Sequence, residues 1–192
     1  MRWLIVGAGG IGATYGARLQ AAGETVTFVA RGDHLRALQE RGLRVEHDGW
    51  RFDAPVDALE EVRLFEERSL AEVDVVVLAF KAQATRPWLA RAGAWLQGGD
   101  APILSLQNGV DNEPWIADVV GVGRTLGGLA VRIGGHLEGP GEVRAAGEAR
   151  VVLGAWPDAA RGTADADLAA RIVDAFRASG VPCVLSERIE VE

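Results

Sequence analysis

Residues 1–31 read MRWLIVGAGGIGATYGARLQAAGETVTFVAR. The stretch opens on an apolar run, RWLIVG at 2–7, which predicts a strand buried on both faces. A glycine-rich turn follows, Gly7-Ala8-Gly9-Gly10-Ile11-Gly12. Residues 11–22 predict a helix stopped by Gly23. TVTFVA at 25–30 is rich in β-branched residues and predicts a second strand. Strand, turn, helix and strand in succession make the unit from which a parallel sheet with helices on both faces is built.

The turn matches G-x-G-x-x-G. With 25 glycines in 192 residues, roughly 0.4 matches arise by chance, so the spacing alone decides little. Its setting decides more, because it begins where an apolar strand ends and runs into a helix. Gly7 permits the tight turn, Gly9 lets a pyrophosphate approach the backbone, and Gly12 lets the helix pack against the sheet. The helix N-terminus offers free N–H groups and partial positive charge to phosphates. These features predict an α/β, Rossmann-type, doubly wound and mostly parallel sheet that binds a dinucleotide. An NAD site usually carries an acid at the end of the second strand, for the ribose 2′-hydroxyl. Here that strand ends Val29-Ala30-Arg31 with no carboxylate, and a guanidinium there can pair with a 2′-phosphate. NADP(H) is therefore the expected cofactor. Asp33 reads as the N-cap of the next helix, 33–42, and Arg36 as part of its solvated face.

Further along, LRVEHDGWRFDAPV at 43–56 alternates around Asp48-Gly49 and predicts a hairpin excursion. DVVVLAF at 74–80 and PILSLQ at 102–107 predict two more buried strands. A helix is expected from about 86 to 96, with Trp88, Ala92, Trp95 and Leu96 on its inner face, and a short one over 111–120. Residues 124–154 predict antiparallel additions: three strand-like pieces separated at Gly139-Pro140-Gly141 and at Gly147-Glu148. A strongly amphipathic helix at 167–180 and a strand at 181–186 close the chain. The whole, 1–192, reads as one dinucleotide-binding domain.

Composition narrows the function. Twenty basic and 27 acidic residues give a net charge of -7, which argues against a nucleic-acid partner. One cysteine, Cys183, and three scattered histidines, His34, His47 and His136, offer no disulfide and no metal-ligand spacing. These features suit a reducing cytoplasm. Four glycines interrupt the N-terminal apolar run, so it reads as a strand rather than a signal peptide, and no stretch is long enough to span a membrane.

Ligands of such sheets lie at the strand C-termini. Lys81 follows the strand at 74–80, and Asn108 follows the strand at 102–107. Lys81 is the only lysine beside 19 arginines. A lysine there can hold a phosphate, a ribose hydroxyl or a substrate carboxylate. An asparagine there can hold a carboxamide or a hydroxyl. The alternatives are a solvated charge at a strand end and an Asn-Gly turn. Neither residue is an evident proton donor for carbonyl reduction. Tyr15, the only tyrosine, is followed three residues on by Arg18, and the six tryptophans read as core or interface.

The chain resembles the N-terminal domain of the ketopantoate reductase (2-dehydropantoate 2-reductase) family. The resemblance is carried by GAGGIGATYG at 7–16, VTFVARGDHLRAL at 26–38, FKAQAT at 80–85, SLQNGVDNE at 105–113, LGGLAVR at 126–132, GPGEV at 139–143 and the tail SGVPCVLSERIEVE. It implies an oxidoreductase of pantothenate biosynthesis that reduces a 2-keto acid with NADPH. It also implies that Gly7, Ala8, Gly9, Gly10, Ile11 and Gly12 line the pyrophosphate and that Arg31 meets the 2′-phosphate. Lys81 and Asn108 would lie beside the nicotinamide and its ribose, on the substrate side. The family pattern has glutamine three residues after that lysine; here Gln83 stands two after it and Ala84 takes the place. Family members continue into a helical domain that supplies the general acid, the substrate grip and much of a homodimer contact. That domain is expected to lie outside this chain, leaving no catalytic residue within it and the 192-residue chain inactive alone. The other readings are a dinucleotide-binding or sensor module without chemistry, and the cofactor domain of another 2-hydroxy-acid dehydrogenase.

Overall fold

The structure is a computed structural model that describes residues 1–160 and 166–191. The first strand, β1 (Arg2–Val6), leads through the glycine turn into α1 (Gly10–Ala21), then β2 (Thr25–Val29) and α2 (Gly32–Arg41). The chain continues through β3 (Leu43–His47), β4 (Trp50–Ala54), β5 (Asp57–Leu59), α3 (Glu61–Glu67) and β6 (Val75–Leu78). Then come α4 (Thr85–Leu96), β7 (Ile103–Ser105), α5 (Asn112–Val120), β8 (Thr125–Gly139), β9 (Glu142–Ala155), α6 (Ala166–Ala178) and β10 (Cys183–Leu185).

The strands form one mixed sheet in the order β4-β3-β9-β8-β7-β6-β1-β2-β5, with β10 also paired to β9. From β5 to β8 every neighbouring pair is parallel. The chain moves outward from β1 to β2 and β5, then crosses back to β6 on the other side of β1. That reversal makes the C-terminal ends of β1 and β6 a topological switch point, the place where ligands of such sheets bind.

Side chains of β1 alternate between two cores, as the pleat requires. Trp3 and Ile5 join α1 and α6 on one face. Leu4 and Val6 join Leu64, Trp88, Leu96 and Ile116, from α3, α4 and α5, on the other. Burial on both faces explains the unbroken apolar runs of β1 and β6. Phe176 of α6 packs edge-on against Trp3 and Tyr15, with centroids 5.4 and 5.8 Å apart, and so ties α6 to the first βα unit.

Three expectations change. Asp33 is not the N-cap of α2; Arg31 holds that place in extended conformation, and Asp33 lies in the first turn, paired with Arg36. The hairpin at 43–54 does turn at Asp48-Gly49, both with positive φ, but it is no excursion from the sheet, since β3 pairs in parallel with β9. Gly147-Glu148 is not a turn between two strands. The long strand β9 passes through it, and the register against β8 shifts between Val131 and Ile133, where Arg132, Gly147 and Ala149 all have positive φ. This is a bulge, a one-residue irregularity that bends a paired strand without ending it. Trp95 does share the inner face of α4 with Trp88, Ala92 and Leu96, half-buried, with its indole N–H donating to the Arg68 carbonyl at 2.7 Å. β5 and α3 had no counterpart among the expected elements.

Candidate functional site

Register fixes where the candidate residues fall. Val6 pairs with Val29 on one side and with Leu78 on the other, and Leu78 pairs with Ser105. The four strands therefore end level with one another. Gly7, Arg31, Lys81 and Asn108 each follow one of those ends by a few residues, so the sheet brings them to one edge.

The glycines of the turn have different reasons for being glycine. Gly7 has φ +104, and a Cβ on it would lie 2.9 Å from the Phe80 nitrogen, so the turn presses on the segment that leads to Lys81. A Cβ on Gly12 would lie 2.1 Å from the Gly7 oxygen, and one on Gly10 would lie 2.0 Å from the Gly135 carbonyl carbon of β8. The chain's own packing demands glycine at these three positions. Gly9 differs. It has φ -76, open to any residue, and a Cβ there would meet nothing within 4 Å. Nothing among the described residues requires Gly9 to be glycine; a bound group lying against the backbone would.

The amides of Gly7 and Ala8 donate to the Val29 carbonyl at 3.1 and 3.3 Å. The first intrahelical bond of α1 runs from the Ala13 amide to the Gly9 oxygen, 2.8 Å. The amides of Gly10, Ile11 and Gly12 in the first turn thus have no acceptor within the helix. No side chain caps this end and no acid stands in its first turn, so its positive potential is left for an anion. The arrangement fits a pyrophosphate.

Arg31 is exposed, and its guanidinium has no hydrogen-bond or ion-pair partner among the described residues. Arg36, beside it, is engaged by Asp33. Lys81 and Asn108 are exposed too, with side chains that meet no partner among the described residues. Their loops are nevertheless held from below. The Thr85 hydroxyl donates to Asn112 Oδ1 at 2.9 Å and accepts from Gln107 Nε2 at 2.9 Å. Gln107 Nε2 also reaches the Phe80 carbonyl at 2.9 Å, and Asn112 Nδ2 reaches the Asn108 carbonyl at 3.2 Å. Thr85, Gln107 and Asn112 are all buried. This buried network joins the segment before Lys81 to the segment carrying Asn108, and the motif reading missed it because its members are 22 and 27 residues apart in sequence. Tyr15 lies in the core with its hydroxyl unpartnered, and burial pushes its phenol above the ordinary range, so it is no proton donor to this edge.

Among the described residues, no group of three or more His, Cys, Asp or Glu side chains is placed to hold a metal ion. No helix among them is long and apolar enough to cross a membrane.

Residues 3–158 match the family model of ketopantoate reductase PanE/ApbA. The chain is 30% identical over 189 residues to a 2-dehydropantoate 2-reductase of Pyrococcus abyssi, covering 98% of this chain and 57% of that one. It is 41% identical over 116 residues to that of Mesorhizobium japonicum, covering 60% of this chain and 33% of the relative. Among solved structures, 2-dehydropantoate 2-reductase from Geobacter metallireducens matches with a TM-score of 0.79 and 31% identity, over 97% of this chain and 58% of that one. D-mandelate dehydrogenase with NADH and anilino(oxo)acetate matches with a TM-score of 0.81 and 25% identity, over 97% and 57%. The chain thus spans little more than half the length of the relatives it matches along nearly all of its own.

Proposed function

We propose a function from one premise: the chain belongs to the ketopantoate reductase PanE/ApbA family. The described residues form the cofactor half of an NADPH-dependent reductase that converts a 2-keto acid to a 2-hydroxy acid, with ketopantoate as the substrate. The observation that carries this reading is Gly9, a glycine with no structural need, set at the uncapped start of α1.

In this reading the amides of Gly10, Ile11 and Gly12 receive the pyrophosphate, and Gly9 lets it close on the backbone. Arg31 pairs with the 2′-phosphate through its fork of donors. Its unpartnered guanidinium and the absence of a carboxylate at that strand end support NADP over NAD. Lys81 and Asn108 hold the nicotinamide end and face the substrate, with the buried Thr85 network fixing their loops. When bound, the cofactor supplies the hydride. The proton for the substrate oxygen is assigned to none of the described residues, because Lys81 belongs to the cofactor side and Tyr15 to the core. The reading places the reaction in the cytoplasm.

Titration of the 192-residue chain with NADPH and with NADH, followed by cofactor fluorescence, tests the proposal. The expected result is binding of both, with NADPH tighter by about 10- to 100-fold for the added charge-assisted contacts. Equal affinities would overturn the NADP assignment, and binding of neither would overturn the dinucleotide reading itself. A second reading is dinucleotide binding without turnover, since none of the described residues is assigned as proton donor. Ketopantoate reduction by this chain would eliminate it.

A further inference from the structure

His34 stands in the first turn of α2, half-buried, where three segments meet. The Gly141 amide donates to its Nδ1 at 3.0 Å. An imidazole nitrogen that accepts carries no proton, so in the neutral ring the proton sits on Nε2. That Nε2–H donates to the Ala8 carbonyl at 2.8 Å. The ring therefore bridges the glycine turn to the tip of the β8–β9 hairpin. The tip is itself held: Arg44 donates its amide to the Gly141 carbonyl at 2.9 Å, and Arg41 Nη2 donates to the Pro140 carbonyl at 3.0 Å.

The bridge bears on the site through one peptide group. In a trans peptide the C=O and the next N–H point in opposite directions. Anchoring the Ala8 carbonyl on His34 thus turns the Gly9 N–H away from His34, and that N–H has no acceptor among the described residues. With the Ala8 amide already bonded to Val29, the orientation of the Ala8–Gly9 peptide rests on the imidazole.

We propose that His34 is a positioning residue for the cofactor: its Nε2–H, bonded to the Ala8 carbonyl, holds the Gly9 N–H in the direction that meets the pyrophosphate. A protonated ring would set a second N–H against the Gly141 N–H and lose that bond. Burial pushes the imidazole below its ordinary value, and its bond to Ala8 opposes that shift. Protonation adds its N–H at Nδ1 and leaves the Nε2–H bond to Ala8 in place, so the contact that orients the Gly9 N–H is made in either charge state. The surrounding charges are largely matched. On α2, Asp33 pairs with Arg36; on the strands, Arg44 pairs with Asp53 and Glu142, and Arg144 with Glu138. Arg31, Glu40 and Arg41 are exposed, and the turn and α1 carry no charge from Gly7 to Ala17.

This inference rests on the dinucleotide reading, and its test separates the two. Nitrogen-15 spectra of the imidazoles in the 192-residue chain should show His34 as the neutral Nε2–H tautomer at about pH 8. Calorimetric titration with NADP+ should show His34→Ala weakened about tenfold, the loss of about one hydrogen bond. His34→Gln, whose amide can replace both contacts without titrating, should restore most of that affinity. An Nδ1–H tautomer, unchanged affinity in His34→Ala, or affinity in His34→Gln no better than in His34→Ala would overturn the inference alone. If His34→Ala fails to fold, His34→Leu, which fills the space and donates no hydrogen bond, takes its place. No binding of NADP+ at any pH would overturn the dinucleotide reading, and the inference with it.

Discussion

In the β1, β2, β6 and β7 part of the sheet the strands are three to five residues long and parallel, and their residues are mostly buried. β8 and β9 run for 15 and 14 residues, antiparallel, and their distal parts turn mostly exposed side chains outward. The short strands end level and deliver every residue assigned to the cofactor. The long pair delivers none, yet it touches the glycine turn twice: at Gly135, against Gly10, and at Gly141, through His34. The difference teaches a division of labour: the parallel part carries the residues proposed for the cofactor, and the antiparallel part packs against the turn that presents them. A glycine turn with free amides has few contacts of its own, and here a hairpin braces it from outside.

The division is broken most severely at the seam. Gly10→Ala places a Cβ 2.0 Å from the backbone of Gly135, which no rotamer change can relieve. The expected cost is about 3 kcal/mol, a fall in Tm of roughly 10 °C for a domain of this size. An unchanged Tm by differential scanning calorimetry would mean the two parts are not in rigid contact. Arg31→Ala should act on the parallel part alone, weakening NADPH by about 10- to 100-fold and leaving NADH binding and Tm unaltered. Equal loss of both cofactors would show that Arg31 does not read the 2′-phosphate. Gly9→Ala is the sharper companion to the first variant. The added Cβ meets no protein atom, so Tm should hold while dinucleotide affinity drops about tenfold. Retained affinity would remove the observation on which the functional reading rests. The smallest effect belongs to Tyr15→Phe. Its hydroxyl is buried without a partner, so removal should leave chemical-denaturation stability equal or slightly higher. A clear loss would reveal a hydrogen bond at that hydroxyl.

The parallel part was legible because its signals are local. An apolar run, a glycine spacing and a β-branched segment lie next to one another in residues 2–30, and pairing then follows from topology. β5 was not legible. Its three residues, Asp57–Leu59, carry no alternation to read and are a strand only because β2 offers them an edge. The bulge in β9 was misread for the opposite reason: Gly147-Glu148 has the composition of a turn, but β8 continues beside it and keeps the strand going. Helix capping favoured Asp33 on residue preference, while the observed boundary set Arg31 there and gave Asp33 to Arg36. At the site, Lys81 and Asn108 were visible as strand-end residues. His34 was not, since its two partners lie 26 and 107 residues away and nothing near it in sequence foretells either.

The parallel pairing of β3 with β9 has a consequence during synthesis. Arg44 takes its place beside Glu142, so β3 leaves the ribosome long before the strand that will cover its edge. Until then both edges of the hairpin at 43–54 lack a neighbour, and afterwards only that of β4 does, while β1 and β2 can already associate. Contacts this distant in sequence slow folding, and an open strand edge invites pairing with another nascent chain. The last parts of the domain to settle are thus the brace and the strand it shelters, and a chaperone that covers 43–54 would protect the segment at greatest risk.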